Sequence, residues 1–214
     1  MAAQVRPASL PTIGIQDCLV LIAFLSLVLV QMQNFAQDPG VGWHLSTGQH
    51  VFSTGEIPRV DSFLASSSPR PWVADQWLGS TFLYALFKSG SWPMVYASLT
   101  LIYLLTYAAI LYGVLARLSG SYIAASLAAI YAFKIGQLHF IMRPVMLSFP
   151  LFAAVTGFVY VLYHALKSAS GAQAATSFRY AAVGLPLIFA LWSNVHPSFV
   201  LGLGLLGLLP LSVL

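Results

Sequence analysis

Few side chains in this 214-residue sequence can do chemistry, and they fall into two stretches. Asp38, Trp43, His44, Asp61, Asp75 and Trp77 occupy the first, and Lys134, His139, Arg143, Asn194 and His196 the second. A carboxylate can take a proton from a hydroxyl, while an arginine can hold a phosphate oxygen through paired N–H donors. Acids, histidines and an arginine beside apolar segments therefore suit a substrate that is part lipid and part polar. Cys18 is the lone cysteine, which excludes a disulfide framework or a cysteine-based metal site within one chain. No metal ligand set is evident, and cofactors stay open, a divalent cation and a bound pigment among them.

Each of these residues also has a purely structural reading. Asp38 before Pro39 and Gly40 reads as a turn or helix cap, and Asp61, Ser62 and Phe63 after Pro58 read likewise. Trp43 suits a membrane interface and His44 a solvated imidazole. Arg143 followed by Pro144 is a helix start with a snorkelling guanidinium. Asn194 with Pro197 fits a turn between two helices. Lys134 stands about one turn from the end of an apolar run, where snorkelling costs less than burial, with a polar cavity as the alternative.

The elements that must position these residues are set by composition. Charged residues make up 7% and hydrophobic residues 59%, with a mean hydropathy of +0.85. A soluble domain carries about 25% charged residues, so the chain reads as an all-α, polytopic integral membrane protein. With roughly 20 residues per crossing, about six spans fit and no separate soluble domain does. The nine basic residues are scattered singly, which argues against nucleic acid as a partner despite the net charge of +4.

Expected segments are a cytoplasmic N-terminus over 1–14, span 1 over 15–32, an exoplasmic loop over 33–92, and spans over 93–116, 122–138, 144–166, 180–192 and 198–214. The long loop carries four of the five acids, and within it Trp77 to Phe87 is too short to span and reads as an interfacial helix ended by Lys88, Ser89 and Gly90. Lys167 to Arg179 reads as a small-residue loop. Six spans place Arg6, Arg117, Lys167 and Arg179 on one side, as expected of the cytoplasm. The candidate residues, Lys134 excepted, then share the opposite membrane face.

The stretches DPGVGWHLSTGQHVFSTGEIPRVDSF (38–63), PWVADQWLGSTFLYALF (71–87), MRPVMLSFPL (142–151) and WSNVHPSFVLGL (192–203) occur in an order and spacing that resemble the GT-C superfamily of membrane glycosyltransferases, of the protein mannosyltransferase-like kind. The resemblance covers nearly all of the chain from Asp38 to Gly204. It implies a bacterial inner-membrane enzyme that takes sugar from a polyprenyl-phosphate carrier. It also implies that Asp38 is the base of an inverting transfer, that Arg143 with Lys134 or a histidine steadies the departing phosphate, and that Asp61 and Trp77 are structural or touch sugar. Two positions depart from the pattern: Gly40 and Gln76 stand where family members often carry acids, with Asp75 one place earlier. The family core has at least seven spans, so a six-span chain is either a truncated member or a relict kept for another purpose.

Two functions follow as expectations. One is a GT-C-like transferase, or a fragment of one, with lipid and polyprenyl-phosphate sugar as partners. The other is a non-catalytic subunit of a larger membrane complex on a GT-C-derived fold. A transporter or channel has little behind it, because the spans hold hardly any polar residue besides Lys134.

Overall fold

A computed structural model describes residues 14–35, 38–61, 70–167 and 171–212. Most of the expected N-terminal segment, Ser62 and Phe63, part of the Lys167 to Arg179 loop and the last two residues of the expected sixth span lie outside the described residues. The fold is all-α apart from a two-residue antiparallel ladder. Its helices are α1 (Ile15–Phe35), α2 (Gly40–Thr54), α3 (Trp77–Leu104), α4 (Tyr112–Ser119), α5 (Tyr122–Gly136), α6 (Val145–Lys167), α7 (Gly171–Val195) and α8 (Phe199–Gly207). The ladder pairs β1 (Val60–Asp61) with β2 (Arg70–Pro71).

Local chemistry sets several boundaries. Gly55 and Gly120 adopt left-handed backbone (φ 73° and 64°) and close α2 and α4, as glycine does where a side chain would be strained. Ser121 then caps α5, its hydroxyl accepting from the Ala124 N–H. The expected interfacial helix at Trp77 is the first half of α3, which breaks at Gly90 and Ser91 and restarts at Pro93. A π-helical stretch, Leu105–Leu111, joins α3 to α4.

Three helical stretches are long and apolar enough to cross a membrane: Trp77–Ala116, Pro144–Lys167 and Ala174–Val195. Of the other expected spans, α1 has a shorter apolar portion (Ile15–Val30), α5 has 15 residues and α8 has nine. The expected 180–192 span begins earlier, at Gly171, because the alanine-rich segment read as loop is helical and Pro186 lies inside the helix. Alanine is the strongest helix former, which explains the extension. Ile123, Leu127 and Tyr131 on α5, and Val183, Leu187 and Leu191 on α7, point outward at helical spacing. Such uncovered apolar stripes suit lipid.

Contacts between rings give the directions. Phe35, at the end of α1, meets Tyr96 of α3 and Phe140 after α5, while Tyr112 of α4 donates to Asp17 at the start of α1. The outgoing half of α3 and its continuation therefore run antiparallel to α1, and α5 runs back beside it. Pairs Phe152–Trp192 and Phe158–Gly184 make α6 and α7 antiparallel. One apolar core surrounds Phe24, Tyr103, Phe133, Phe140 and Met146, and a second, Val155, Leu162, Leu185 and Trp192, lies among α6, α7 and α8. The end of α1, the start of α3, the start of α6 and the end of α7 thus lie at one end of the bundle.

Candidate functional site

At that end Asp38 follows α1 and Arg143 precedes α6. The Arg143 guanidinium donates through Nε to Oδ2 (2.5 Å) and through Nη2 to Oδ1 (2.6 Å), a two-point pair between residues 105 positions apart. Asp38 also accepts from the Gly40 N–H at 3.0 Å, so the expected turn at the start of α2 is present as well. The Asp38 side chain is 7% exposed and that of Arg143 43%. Gly40 leaves room for this approach: a Cβ there would lie 2.8 Å from Arg143 Nη2, and the guanidinium would have to shift. Bonded to Arg143 and to Gly40, Asp38 is held below the usual carboxylate range against the upward push of its burial. The guanidinium keeps N–H donors that no described protein group takes up.

His44, one turn into α2, places Nδ1 3.0 Å from the Ser80 hydroxyl on α3. Gly48 lets the two helices touch, since any side chain there would run into the Ser80 carbonyl and Tyr84. Burial, with the Arg143 charge nearby, lowers His44 to about 4, so the imidazole is neutral at pH 7. Beside it lies a cavity of about 170 Å³ lined by Trp43, His44, Thr47, Trp72, Ala74, Asp75, Gln76, Trp77 and Ser80. Trp43 and Trp72 meet edge to face at 6.3 Å. Trp77 donates through Nε1 to Asn194 Oδ1 at 2.8 Å, which ties the start of α3 to the end of α7. Gly79 continues that junction, packed against Pro144 and the Val195 carbonyl.

His196 follows α7. Burial lowers its pKa, Asp75 opposes the shift, and His139 and Arg143 reinforce it. These four residues therefore share one electrostatic environment, which also contains His44. Asp38, Trp43, His44, Asp75, Trp77, His139, Arg143, Asn194 and His196 are thus gathered at one end of the bundle. Asn194 stands at the end of α7, before the turn expected there, and its amide is engaged by Trp77, Ala190 and Ser193 and so orients the indole. Asp61 stays in the ladder opposite Arg70 and does not line the cavity. Lys134 is not joined to Arg143; its ammonium, exposed near the end of α5, donates to Gln137, in keeping with snorkelling.

The sequence did not single out Trp72, Ser80, Ser148 or Ser198. Trp72 stood in a quoted motif and could have been read as an interfacial ring, whereas the serines carry no signal of their partners. Among the described residues no three His, Cys, Asp or Glu side chains converge to hold a metal ion, so the donor set does not make a metal site by itself. Chemically, the arrangement offers a buried carboxylate, a guanidinium with spare donors, two neutral imidazoles and an indole-walled cavity. Compared with family models, curated proteins and solved structures, the chain matches none.

Proposed function

We propose that this chain is a GT-C-like glycosyltransferase, or a fragment of one, moving a sugar from a polyprenyl-phosphate carrier to an acceptor hydroxyl at the exoplasmic face of a bacterial inner membrane. In this reading α1 and α5 join the three longer helical stretches in the membrane layer, the nine-residue α8 enters it as the start of a sixth crossing, and the N-terminus is cytoplasmic. The observation that carries the proposal is the Asp38–Arg143 pair at the same end of the bundle as the cavity bordered by Trp43, Trp72 and Trp77. Indole faces pack against the C–H face of a sugar ring while Asp75 accepts from its hydroxyls, and the spare donors of Arg143 suit a phosphate.

Inverting transfer then runs in one displacement. The acceptor oxygen attacks the anomeric carbon, its proton passes to an Asp38 oxygen, and the bond from that carbon to the phosphate oxygen breaks with its electron pair leaving on phosphate. Asp38 is a poor base while Arg143 grips both its oxygens. A phosphate that draws the guanidinium away raises the basicity of Asp38 at the moment the donor is in place.

The same pairing favours a second reading. A carboxylate with both oxygens occupied by arginine also serves as a structural clasp, as a non-catalytic subunit of a larger complex would use it. A side chain at Gly40, where the resembling enzymes often carry an acid, would displace the guanidinium.

A transfer assay separates the two. Membranes containing the chain are given a radiolabelled polyprenyl-phosphate sugar pool, with Asp38→Asn as control. The transferase reading expects label in an acceptor, reduced about 100-fold or more in the variant, the usual scale for a lost general base. Background transfer from both folded proteins, with the chain held in a stoichiometric complex, would establish the subunit reading instead.

A further inference from the structure

The cavity of about 170 Å³ is both acidic and aromatic. Of its nine lining residues one carries a charge, Asp75, and no lysine or arginine is among them. His44, whose Nδ1 faces Ser80, is lowered to about 4 by burial and stays neutral at pH 7. The Thr47 hydroxyl is committed to the Trp43 carbonyl at 2.9 Å. Asp75 is exposed, and among the described residues no protein group donates to its carboxylate. His196 lies outside the lining and is tied into its own turn: its Nδ1 accepts from the Ser198 N–H at 3.1 Å, and the Ser198 hydroxyl stands 2.9 Å from that of Ser148.

The three indoles form walls. Trp43 and Trp72 meet with their planes at 85°, and Trp77 is fixed by its bond to Asn194. Rings set at right angles border a compact group on two sides, which one flat platform does not. An indole face is the negative part of the ring and attracts a cation. An ammonium in this cavity therefore meets aromatic walls and a carboxylate that accepts its N–H donors. A hydroxyl gains only the hydrogen bond, and an anionic group is repelled by Asp75. The larger concavity of about 650 Å³ after α2 lacks this bias, since Glu56 and Arg59 put one charge of each sign into its lining and no tryptophan joins them.

We infer that the indole-walled cavity is a site for a positively charged amine, held between the Asp75 carboxylate and the rings of Trp43, Trp72 and Trp77. Asp75 is then its specificity-determining residue. In the proposed transfer reaction, on which this source rests, the amine belongs to an amino sugar on the carrier. The ethanolamine headgroup of a membrane lipid offers the same chemistry from the bilayer.

The test is binding to the full chain in a polyoxyethylene detergent, which carries neither sugar nor amine. Tryptophan fluorescence is read at pH 6, where a primary amine is charged and His44 is not. Methyl glucosaminide should bind about tenfold or more tighter than methyl glucoside, and methyl glucuronate should leave the signal unchanged at the same concentrations. Asp75→Asn, an exposed change of the same size, should bring glucosaminide and glucoside within about twofold of each other. The preference should survive in Trp72→Phe, which keeps a ring, and fall in Trp72→Leu. Equal affinity for glucosaminide and glucoside, no response to any amine, or a preference that persists in Asp75→Asn or is untouched in Trp72→Leu would overturn the inference. Glycerophosphoethanolamine separates the sources: tighter binding than methyl glucosaminide assigns the amine to a lipid headgroup, weaker binding to the sugar, and the amine site stands in both cases. The readout needs no turnover. Transfer without amine binding would leave the proposed function with an uncharged sugar, and amine binding without transfer would count against the proposed function alone.

Discussion

Among the described residues, the two ends of the bundle are held together differently. At one, groups from the link after α1, from α2, from the approach to α3, from the turn before α6 and from the end of α7 meet through long-range polar contacts, Arg143 to Asp38 and Trp77 to Asn194 among them. At the other, Tyr112 donates to Asp17 across 95 residues at 3.2 Å, while Lys167, among the described residues, donates to Tyr163 of its own helix alone. Concentrating polar cross-links at one end therefore fixes the relative positions of side chains there, and reactive geometry needs that where a simple bundle does not.

Glycine substitutions break the comparison most sharply. Gly48→Ala pushes α2 off the Ser80 backbone at the polar end and should destabilise the protein by about 3 kcal/mol, read as a lower midpoint of unfolding in detergent. Next comes pH. His44 is lowered to about 4 in the folded chain against about 6.5 unfolded, so below pH 6.5 the unfolded state binds the extra proton. Stability is full above that value and is lost as pH falls toward 4. Going from pH 7 to 5 should cost about 1 to 2 kcal/mol, and His44→Gln should flatten that part of the profile. Trp77→Phe keeps an aromatic wall but leaves Asn194 Oδ1 unpaired, for a loss of about 1 kcal/mol. Smallest is Gly113→Ala toward the opposite end, where an added Cβ meets nothing within 4 Å. Better helix propensity should make that variant more stable by about 0.5 to 1 kcal/mol, and a loss there comparable to Gly48→Ala would erase the difference between the ends.

Much of the helical framework is legible in the sequence where punctuation is strong. Tyr122 opens α5 and Pro144 immediately precedes α6, each where residue type alone places it, while α4 runs on to Ser119, three residues past the expected end at 116, before Gly120 closes it. Composition misleads elsewhere. Gly171 to Arg179 has small and polar residues and reads as loop, yet it is the first part of α7. Gly40–Thr54 has three glycines in a polar setting, and it is helical against α3 because Gly48 permits the close approach. The expected span count puts acids, arginine and histidines at one end, but it does not pair Asp38 with Arg143, because no local spacing encodes a contact 105 residues long. For the same reason Ser80, Ser148 and Ser198 are invisible until the helices are packed.

All of this depends on the carboxylate after α1 and the guanidinium before α6 forming one site. A double-mutant cycle with Asp38→Asn, Arg143→Gln and the combined variant, followed by unfolding in detergent, measures that directly. With the carboxylate buried and the guanidinium partly open to solvent, the cycle should return a coupling of about 1 to 2 kcal/mol. Strictly additive losses would mean that the two groups do not meet, and the site would have to be redrawn.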